Sequence, residues 1–399
     1  MLAVFASLSL LFTTAAAGPA EGVGVKPREP NPALLYWQGI ALLPEMNKAR
    51  EQLPLDVSGG RIKPDAREVQ NFLTDAAPSL KRFRRAAGSS TPCEWGITLD
   101  EGPYAVMPHT LKMQWMGRLA LLQAEHDFVT GKPRQAVEWI LASQKAARHV
   151  GSDGLFMTVL MEYNMEGLAL RVAGRYTGRM DSNLRAWYRQ QLEQLPPLHD
   201  VGHALAGERE IAKWLHRMPL GFENQPNIDQ AMAAYLDSLP KPAPATEAQQ
   251  SKSGSRSQPQ QNAETMRQWL EDWRKNHEAI TTMFNEMDAA STKPWPEAIR
   301  ELEQLQAAQS GSLPTVQNLF PLVRNYVRKR HEVDTQQRML LAALSLGATP
   351  PLGNLDGWRD TFFNEPLVVK RQEGVLVIAM RQLVGNREIS LRLSPLGSP

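Results

Sequence analysis

The chain has little of what would reveal an activity directly. Its 399 residues contain a single cysteine, Cys93, so no intramolecular disulfide can form. That thiol is either buried and inert or pairs between chains, and we favour the buried state. The sequence also has no Gly-x-Ser-x-Gly elbow, no phosphate-cradling loop and no dinucleotide-binding fingerprint. The most common catalytic signatures are therefore missing, and we expect no cofactor.

A large excess of one charge is also missing. Lysine and arginine total 44, aspartate and glutamate total 42, and the formal net charge is +2. Proteins that bind nucleic acid carry a clustered basic excess, so this balance predicts no nucleic-acid partner. The charged fraction of 22% and the aromatic fraction of 7% are ordinary for a globular chain with a packed core.

Charged side chains are absent from the first 20 positions. Met1 to Thr14 is apolar and β-branched, and Ala15-Ala16-Ala17 offers a cleavage site before Gly18. This pattern predicts a secretory signal peptide and an exported protein that is periplasmic or envelope-associated. No basic residue follows Met1, which leaves a start further upstream or a short uncleaved anchor as alternatives. The membrane is expected as a partner only through such an uncleaved segment, because the apolar run is short for a spanning helix.

The clearest helical signal lies between His109 and Leu215. Apolar residues recur at steps of three and four on either side of a Gly-Lys-Pro joint. They are Leu111, Trp115, Leu119 and Leu122 before the joint, and Ala136, Ile140, Ala147 and Val150 after it. Gly131 can end the first helix in the left-handed conformation, and Pro133 suits the first turn of the second. This predicts an antiparallel helical hairpin whose joint looks like that of a tetratricopeptide repeat (TPR).

Composition divides the rest of the chain. Residues 240–262 hold four prolines and many Gln, Ser and Lys, with too little apolar surface to offset ordering. The predicted order is a signal peptide at 1–17, a linker at 18–32, a helical array at 33–239, a disordered linker at 240–262, a second helical segment packing on the array at 263–348 and a small β-module at 349–399. The predicted fold class is mainly α, with antiparallel hairpins in a TPR-like array.

The C-terminal tail has the period of strands. The run from Pro366, the pair Glu373-Gly374 and the run from Val375 predict a β-hairpin. Residues 387–393 alternate between polar and apolar, as a third strand would. The predicted module is therefore a β-hairpin or a three-stranded sheet.

Several segments together carry a family resemblance. They are Ala33-Leu34-Leu35-Tyr36-Trp37-Gln38, Cys93-Glu94-Trp95-Gly96, the helix pair around Gly131, Ala206-Gly207-Glu208-Arg209 and the C-terminal tail. These segments resemble a group of exported, uncharacterised bacterial proteins that look like helical arrays closed by a small β-module. The resemblance spans most of the chain and implies a fold, but it brings no known activity.

The β-module of that group is itself similar to the C-terminal β-region of the major pseudopilins of type II secretion. Its usual form is Asp-Pro-Phe-x-Gly-Lys-Pro-Leu-x-Tyr, followed by a Gly-Asp-Gly turn. Residues 360–369 keep the Asp, Phe and Pro-Leu positions but replace the Gly, Lys and Tyr, and Glu373-Gly374 stands for the longer turn. The pseudopilin N-terminal helix is absent here, so the resemblance does not imply pilus assembly.

The sharpest candidate for chemistry is the stretch from His199 to His203. Two histidines four positions apart share a helix face and can both reach a zinc ion. Glu223 could supply a third ligand, whereas Glu208 lies about 140° around the helix from His203 and points away. Asp200 stands where a zincin has its general-base glutamate, but it is one methylene shorter. The alternative, a pair of surface or capping histidines, is favoured, so we expect no bound metal and name no catalytic residue.

Other reactive or clustered side chains have simpler interpretations. His109, His126 and His149 lie on the central hairpin and are expected to be partly exposed helix residues rather than metal ligands. The basic run 81–85 could bind a polyanion, but we favour a solvated helix face around one buried phenylalanine. We interpret the basic run 328–331 in the same way. Pro78 is expected to separate two helices, and the methionines at 157, 161 and 165 are expected to fill the core.

Three functions of different classes remain. We favour an exported helical scaffold or binding protein of the cell envelope, without an evident catalytic site and with an unknown protein or envelope partner. The first alternative is a zinc-dependent hydrolase built on His199 and His203. The second is a membrane-anchored structural component of the envelope, held by an uncleaved N-terminal segment.

Overall fold

The computed structural model describes residues 30–99, 106–222, 281–308, 314–346 and 350–393. The predicted signal peptide at 1–17 and the predicted linker at 240–262 lie outside these ranges. The described residues from Asn31 onwards belong to one compact unit. Within the ranges described, no helix combines the length and the apolar character needed to cross a membrane.

The chain is mainly helical and ends in a small antiparallel sheet, which confirms the predicted fold class. The helices are α1 (Pro32–Ala41), α2 (Lys48–Ser58), α3 (Arg67–Ala87), α4 (His109–Val129), α5 (Pro133–Gly151), α6 (Phe156–Arg175), α7 (Ser182–Glu193), α8 (Val201–Phe222), a helical stretch at 281–291, α9 (Trp295–Ala308) and α10 (Pro314–Leu346). A short 3-10 turn, Thr177–Arg179, lies between α6 and α7.

The joint between α4 and α5 forms as its sequence predicts. Gly131 has a φ of 78°, and the amide of Lys132 donates to the carbonyl of Asp127 at 2.8 Å. This is the hydrogen bond of a Schellman motif, which satisfies a carbonyl at the end of α4. Pro133 then opens α5 at a position that needs no amide donor.

The buried face of α4 is only partly the predicted one. Leu119, Leu122 and Ile140 are buried, as predicted, but Leu111 is 66% exposed and Trp115 only half-buried. In the first turns of α4 the chain buries Met113, Met116 and Ala120 instead; all three are fully enclosed. The face turns because α4 packs against α1, α2 and α3 as well as against α5 and α6, and Met113, Met116 and Ala120 join the core that contains α1, α2 and α3.

The helix break expected at Pro78 is wrong. Residues 67–87 form one helix with Pro78 inside it. Proline removes one intrahelical hydrogen bond, but the apolar face continues through the proline and is buried on both sides of it. Phe72 and Ala76 before it, and Leu80 and Phe83 after it, are all enclosed. Tertiary burial therefore outweighs the local penalty.

Two apolar cores lie along the array. One joins α1, α2 and α3 to the inner faces of α4, α5 and α6. The other contains residues of the five helices α4, α5, α6, α7 and α8, of the stretch 281–291, of α9 and α10, and of the sheet. Of the predicted methionine fillers, Met161 and Met165 are buried, but Met157 in the first turn of α6 is 51% exposed.

The C-terminal sheet has four strands rather than the predicted two or three. Its strands β1 (Gly353–Arg359), β2 (Pro366–Gln372), β3 (Val375–Ala379) and β4 (Ser390–Leu393) are antiparallel neighbours in that order. Glu373 and Gly374 have φ values of 52° and 80°, as a two-residue hairpin turn requires. Strand β1 is missed from sequence because its Gly, Asn and Asp residues have low strand propensity, and pairing with β2 decides its conformation.

Asp360 holds the turn that leads into β2. Its buried carboxylate accepts the backbone amides of Phe362, Phe363 and Glu365 at 2.8, 2.6 and 3.1 Å. The sheet then covers the array through β4, because Gly174 of α6 leaves room for the side chain of Leu391.

Candidate functional site

Polar side chains from α5, α6 and α7 converge inside the array. Glu162 and Glu166 lie four residues apart on α6, so they share one helix face, and both are fully buried. The guanidinium of Arg148 on α5 pairs with Glu166, whose other oxygen accepts the amide of Gln144 at 2.8 Å. Tyr188 on α7 closes the group with a longer contact of 3.4 Å to Gln144.

Glu162 is paired with one of the two histidines singled out from the sequence. Its Oε2 lies 2.9 Å from Nδ1 of His199, and its Oε1 accepts the backbone amide of His199 at 3.3 Å. Burial raises the pKa of Glu162, and the hydrogen bond and charge of His199 lower it in part. The carboxylate lies against Gly151, where any side chain would overlap it.

The same group holds the segment that joins α7 to α8. Arg148 Nε donates to the carbonyl of Pro196 at 3.2 Å. The hydroxyl of Tyr163 donates to the backbone carbonyl of His199 at 2.6 Å. From the other side, Arg330 of α10 donates to the carbonyls of Leu198 and His199 at 2.6 and 3.0 Å. We call Gln144, Arg148, Glu162, Glu166, His199 and Arg330 the interior polar network.

Arg330 corrects the interpretation of the basic run 328–331 as a solvated face. The side chains of this run are half-buried rather than exposed, and His331 packs against the rings of Trp295 and Phe362. The sequence pattern misleads here because α10 is surrounded by α6, α7, α8 and the sheet. A basic residue on such a helix reaches backbone carbonyls as readily as water.

The two histidines lie together, but their surroundings are those of a helix start. The rings of His199 and His203 stack with centroids 4.6 Å apart. Asp200, weighed as a general base, instead accepts the amide of His203 at 2.8 Å and caps α8. Helix periodicity predicted that Glu208 points away from His203. Its carboxylate accepts the backbone amide of Phe156, at the start of α6, at 3.1 Å.

The third ligand considered for zinc, Glu223, lies outside the described residues. Within those ranges, no three or more His, Cys, Asp or Glu side chains are arranged to hold a metal ion. The contact with Glu162 occupies Nδ1 of His199, so Nε2 is the ring nitrogen left for any other group. His199 is 27% exposed at its side chain, so a water molecule can reach the ring.

A second cluster brings together two segments that carried the family resemblance. Tyr36 of α1 stacks on Trp95 with ring centroids 5.5 Å apart. Asn31 ties the same segments by accepting the amide of Glu94 at 3.1 Å and donating to its carbonyl at 2.6 Å. Residues far apart in sequence therefore meet because α1 packs on the loop that precedes α4.

Two of the hairpin histidines complete this aromatic cluster. Nδ1 of His149 lies 2.9 Å from the Tyr36 hydroxyl, and its backbone carbonyl accepts the indole N–H of Trp95 at 2.6 Å. His109 stacks on the other side of the cluster, 4.3 Å from Trp95, with Nε2 3.1 Å from Asp153. The expectation of a partly exposed His109 is wrong, since its side chain is fully enclosed.

Cys93 lies beside this cluster and is buried, as predicted. Burial raises the pKa of its thiol to about 12, and the nearby Asp153 adds to the shift. A thiol that stays protonated is a poor nucleophile, because the thiolate is the reactive form. The arrangement therefore supports the inert thiol rather than a catalytic one.

The outer surface carries a cleft of about 510 Å³ where α3 meets α4 and α5. Its lining residues are Ala77, Leu80, Lys81, Arg84, Arg85, Gln123 and Trp139. Phe83 is fully buried, Arg82 is half-buried, and Lys81, Arg84 and Arg85 are exposed, so the run is a helix face around one buried phenylalanine. Sequence reasoning missed Trp139 and Gln123 because their place beside α3 depends on helix packing.

Comparison with known protein families, with curated proteins and with solved structures found no match to this chain.

Proposed function

We propose that the protein is an exported helical scaffold that binds a partner protein in the cell envelope. The observation that carries the proposal is that the buried charged groups are paired within the protein itself. Arg148, Glu166 and Glu162 are directed at one another, at His199 and at the backbone of the segment between α7 and α8. Groups satisfied in this way stabilise the array and present its outer surfaces rigidly.

The compartment and the repeat class are part of the same proposal. The apolar start and the site at Ala15-Ala16-Ala17 support export, and the joint at Gly131 supports a TPR-like hairpin. Helical arrays of this kind act by presenting extended surfaces and clefts to partners. The exported protein should begin at or near Gly18, and N-terminal sequencing of the mature protein tests this; an intact Met1 on exported material would favour the anchored envelope component.

Site-specific photo-crosslinking in cells tests the binding function. A photoreactive residue is placed at each of three exposed positions spread over the array, Asn71, Lys132 and Gln190, and at Arg371 on the sheet as a comparison. At least one array position should give a discrete adduct with a single protein of the envelope fraction. The absence of an adduct from all three array positions would overturn the proposal.

The zinc-dependent hydrolase remains a second proposal because the rings of His199 and His203 lie side by side. Metal analysis of the purified protein separates the two functions. About one zinc per chain, lost in both His199→Ala and His203→Ala, would replace the scaffold by the hydrolase. If the protein is a scaffold without zinc, adding a chelator should leave its melting temperature unchanged.

A further inference from the structure

We propose that the cleft between α3, α4 and α5 binds an acidic segment of a partner protein, with an apolar side chain of that segment on Trp139. The inference rests on the proposed scaffold function, because it names the surface and the chemistry of the partner. It comes from the shape of the cleft, the charges at its rim and the indole inside it.

The wall on α3 is a stripe set by helix periodicity. Ala77, Leu80, Lys81, Arg84 and Arg85 follow steps of three and four, so they lie along one side of the helix. Leu80 is buried and forms the floor, while the three cations stand exposed above it. Because α3 continues as one helix through Pro78, Ala77 lies on the same stripe as the four residues that follow the proline.

The opposite wall places an aromatic ring across from the cations. Trp139 of α5 is half-buried, and the guanidinium of Arg84 lies 5.3 Å from its ring centroid. Gln123 of α4 stands beside it, with its amide group donating to Asp127 at 3.0 Å. An indole held in this way offers a flat apolar surface of the kind that anchors partner side chains.

The three cations of the cleft differ in whether they form ion pairs within the described residues. Arg84 pairs with Glu138 at 2.6 Å, and Glu138 also meets Arg134 at 3.4 Å. Lys81 and Arg85 form no ion pair with any residue in the ranges that the structure describes. The lining therefore has three cations and no carboxylate of its own, which is complementary to an acidic ligand.

The shape favours a protein segment over the other polyanions. A cleft of about 510 Å³ lies in the range of about 300–1,000 Å³ that is typical of ligand sites. A membrane surface would need the aromatic and basic groups to project outward, whereas Trp139 is half-buried beside Arg84. Nucleic acid would need a longer basic surface than the three cations of this cleft provide. The preferred ligand has two or three carboxylates around one apolar side chain.

Fluorescence anisotropy with defined peptides tests the inference on the full-length protein. The probe is a short dye-labelled peptide in which glutamates flank a central phenylalanine, with a lysine version of the same peptide as the negative probe. The wild type should bind the glutamate peptide, more weakly as salt screens the charges, and should not bind the lysine peptide. Lys81→Glu with Arg85→Glu should weaken binding by more than about tenfold, because like charges then face the ligand.

A matched control uses the same change of charge elsewhere. Lys63→Glu with Arg67→Glu alters one lysine and one arginine that are exposed away from the cleft, and its affinity should equal that of the wild type. Trp139→Phe should keep most of the affinity and Trp139→Ala should lose it, while thermal melting shows that each variant is folded. Equal binding by wild type and the Lys81 and Arg85 variant would overturn the inference.

The remaining outcomes separate the inference from the scaffold function. Charge-dependent binding to anionic phospholipid vesicles or duplex DNA, without binding to the glutamate peptide, would overturn the acidic protein segment as ligand. A cellular crosslink at the array without peptide binding would remove the inference and keep the scaffold. Peptide binding without a cellular crosslink would support the cleft as a site for acidic segments and count against a partner protein in the envelope.

Discussion

The hydroxyl of Tyr36 lies 2.9 Å from Nδ1 of His149, joining α1 to the end of α5 across 113 residues of sequence. The pair is held by Trp95, which stacks on Tyr36 and donates to the His149 carbonyl. Such a contact ties the first helix to the central hairpin, and it makes the stability of the array depend on the protonation of one imidazole.

His149 should make the protein less stable in acid. Burial lowers its pKa from its usual 6.5 to about 4, and the positive charge of Lys145 contributes. The unfolded chain therefore binds this proton first, so the stabilisation is complete above pH 6.5 and is lost as pH falls towards about 4. Between neutral pH and pH of about 5, the loss should be on the order of 2 kcal/mol.

Urea denaturation of the wild type and of His149→Gln at both pH values measures this loss. Glutamine can still accept from Tyr36 but does not titrate, so comparing the two proteins cancels the other titrating groups. The difference in unfolding free energy between wild type and variant should shrink in acid. A difference that is independent of pH would show that His149 does not carry the effect.

Breaking the buried ion pair should be costly. Arg148→Met leaves the Glu166 carboxylate, which is fully buried, without its cation. We expect a loss of about 3–5 kcal/mol, because an unpaired buried charge has no compensating interaction. Adding Glu166→Gln to Arg148→Met should recover part of that loss. Chemical denaturation of the single and double variants measures both quantities, and equal stability of the two would contradict the pairing.

A methyl group at Gly151 should separate α5 from α6. A Cβ there would overlap the Glu162 carboxylate and lie 2.8 Å from Nδ1 of His199. Gly151→Ala should therefore destabilise the protein by about 1–3 kcal/mol, the usual cost of overpacking. Gly357→Ala is the control, because a Cβ at Gly357 meets nothing within 4 Å. Similar melting temperatures for the two variants would mean that α6 can move away freely.

Leu119 should contribute far more than Leu111 to stability, although both lie on α4. Leu119 is 3% exposed and Leu111 is 66% exposed. Leu119→Ala should cost roughly 2–5 kcal/mol through the cavity it leaves. Leu111→Ala should change stability by less than about 0.5 kcal/mol. Denaturant titrations measure both, and a large loss for Leu111→Ala would restore the face predicted from periodicity alone.

The sequence by itself determined the features that depend on a few neighbouring residues. Gly131 and Pro133 specify the joint of the hairpin, and Glu373-Gly374 specifies the turn between β2 and β3. These can be predicted because backbone preferences, turn geometry and helix periodicity act within about one or two turns of chain. The helical class and the hairpin of the tail follow from the same local rules.

Only the tertiary structure decided where the ionisable groups go. Glu162 meets His199 across 37 residues, His109 is enclosed against Trp95, and the basic residues of α3 meet Trp139 of α5. Periodicity places each of these residues on a helix face but cannot say which helix covers that face. Burial, pairing and the cleft come from helix packing, in which the area buried between distant segments outweighs local preference, as it does at Pro78 and in strand β1.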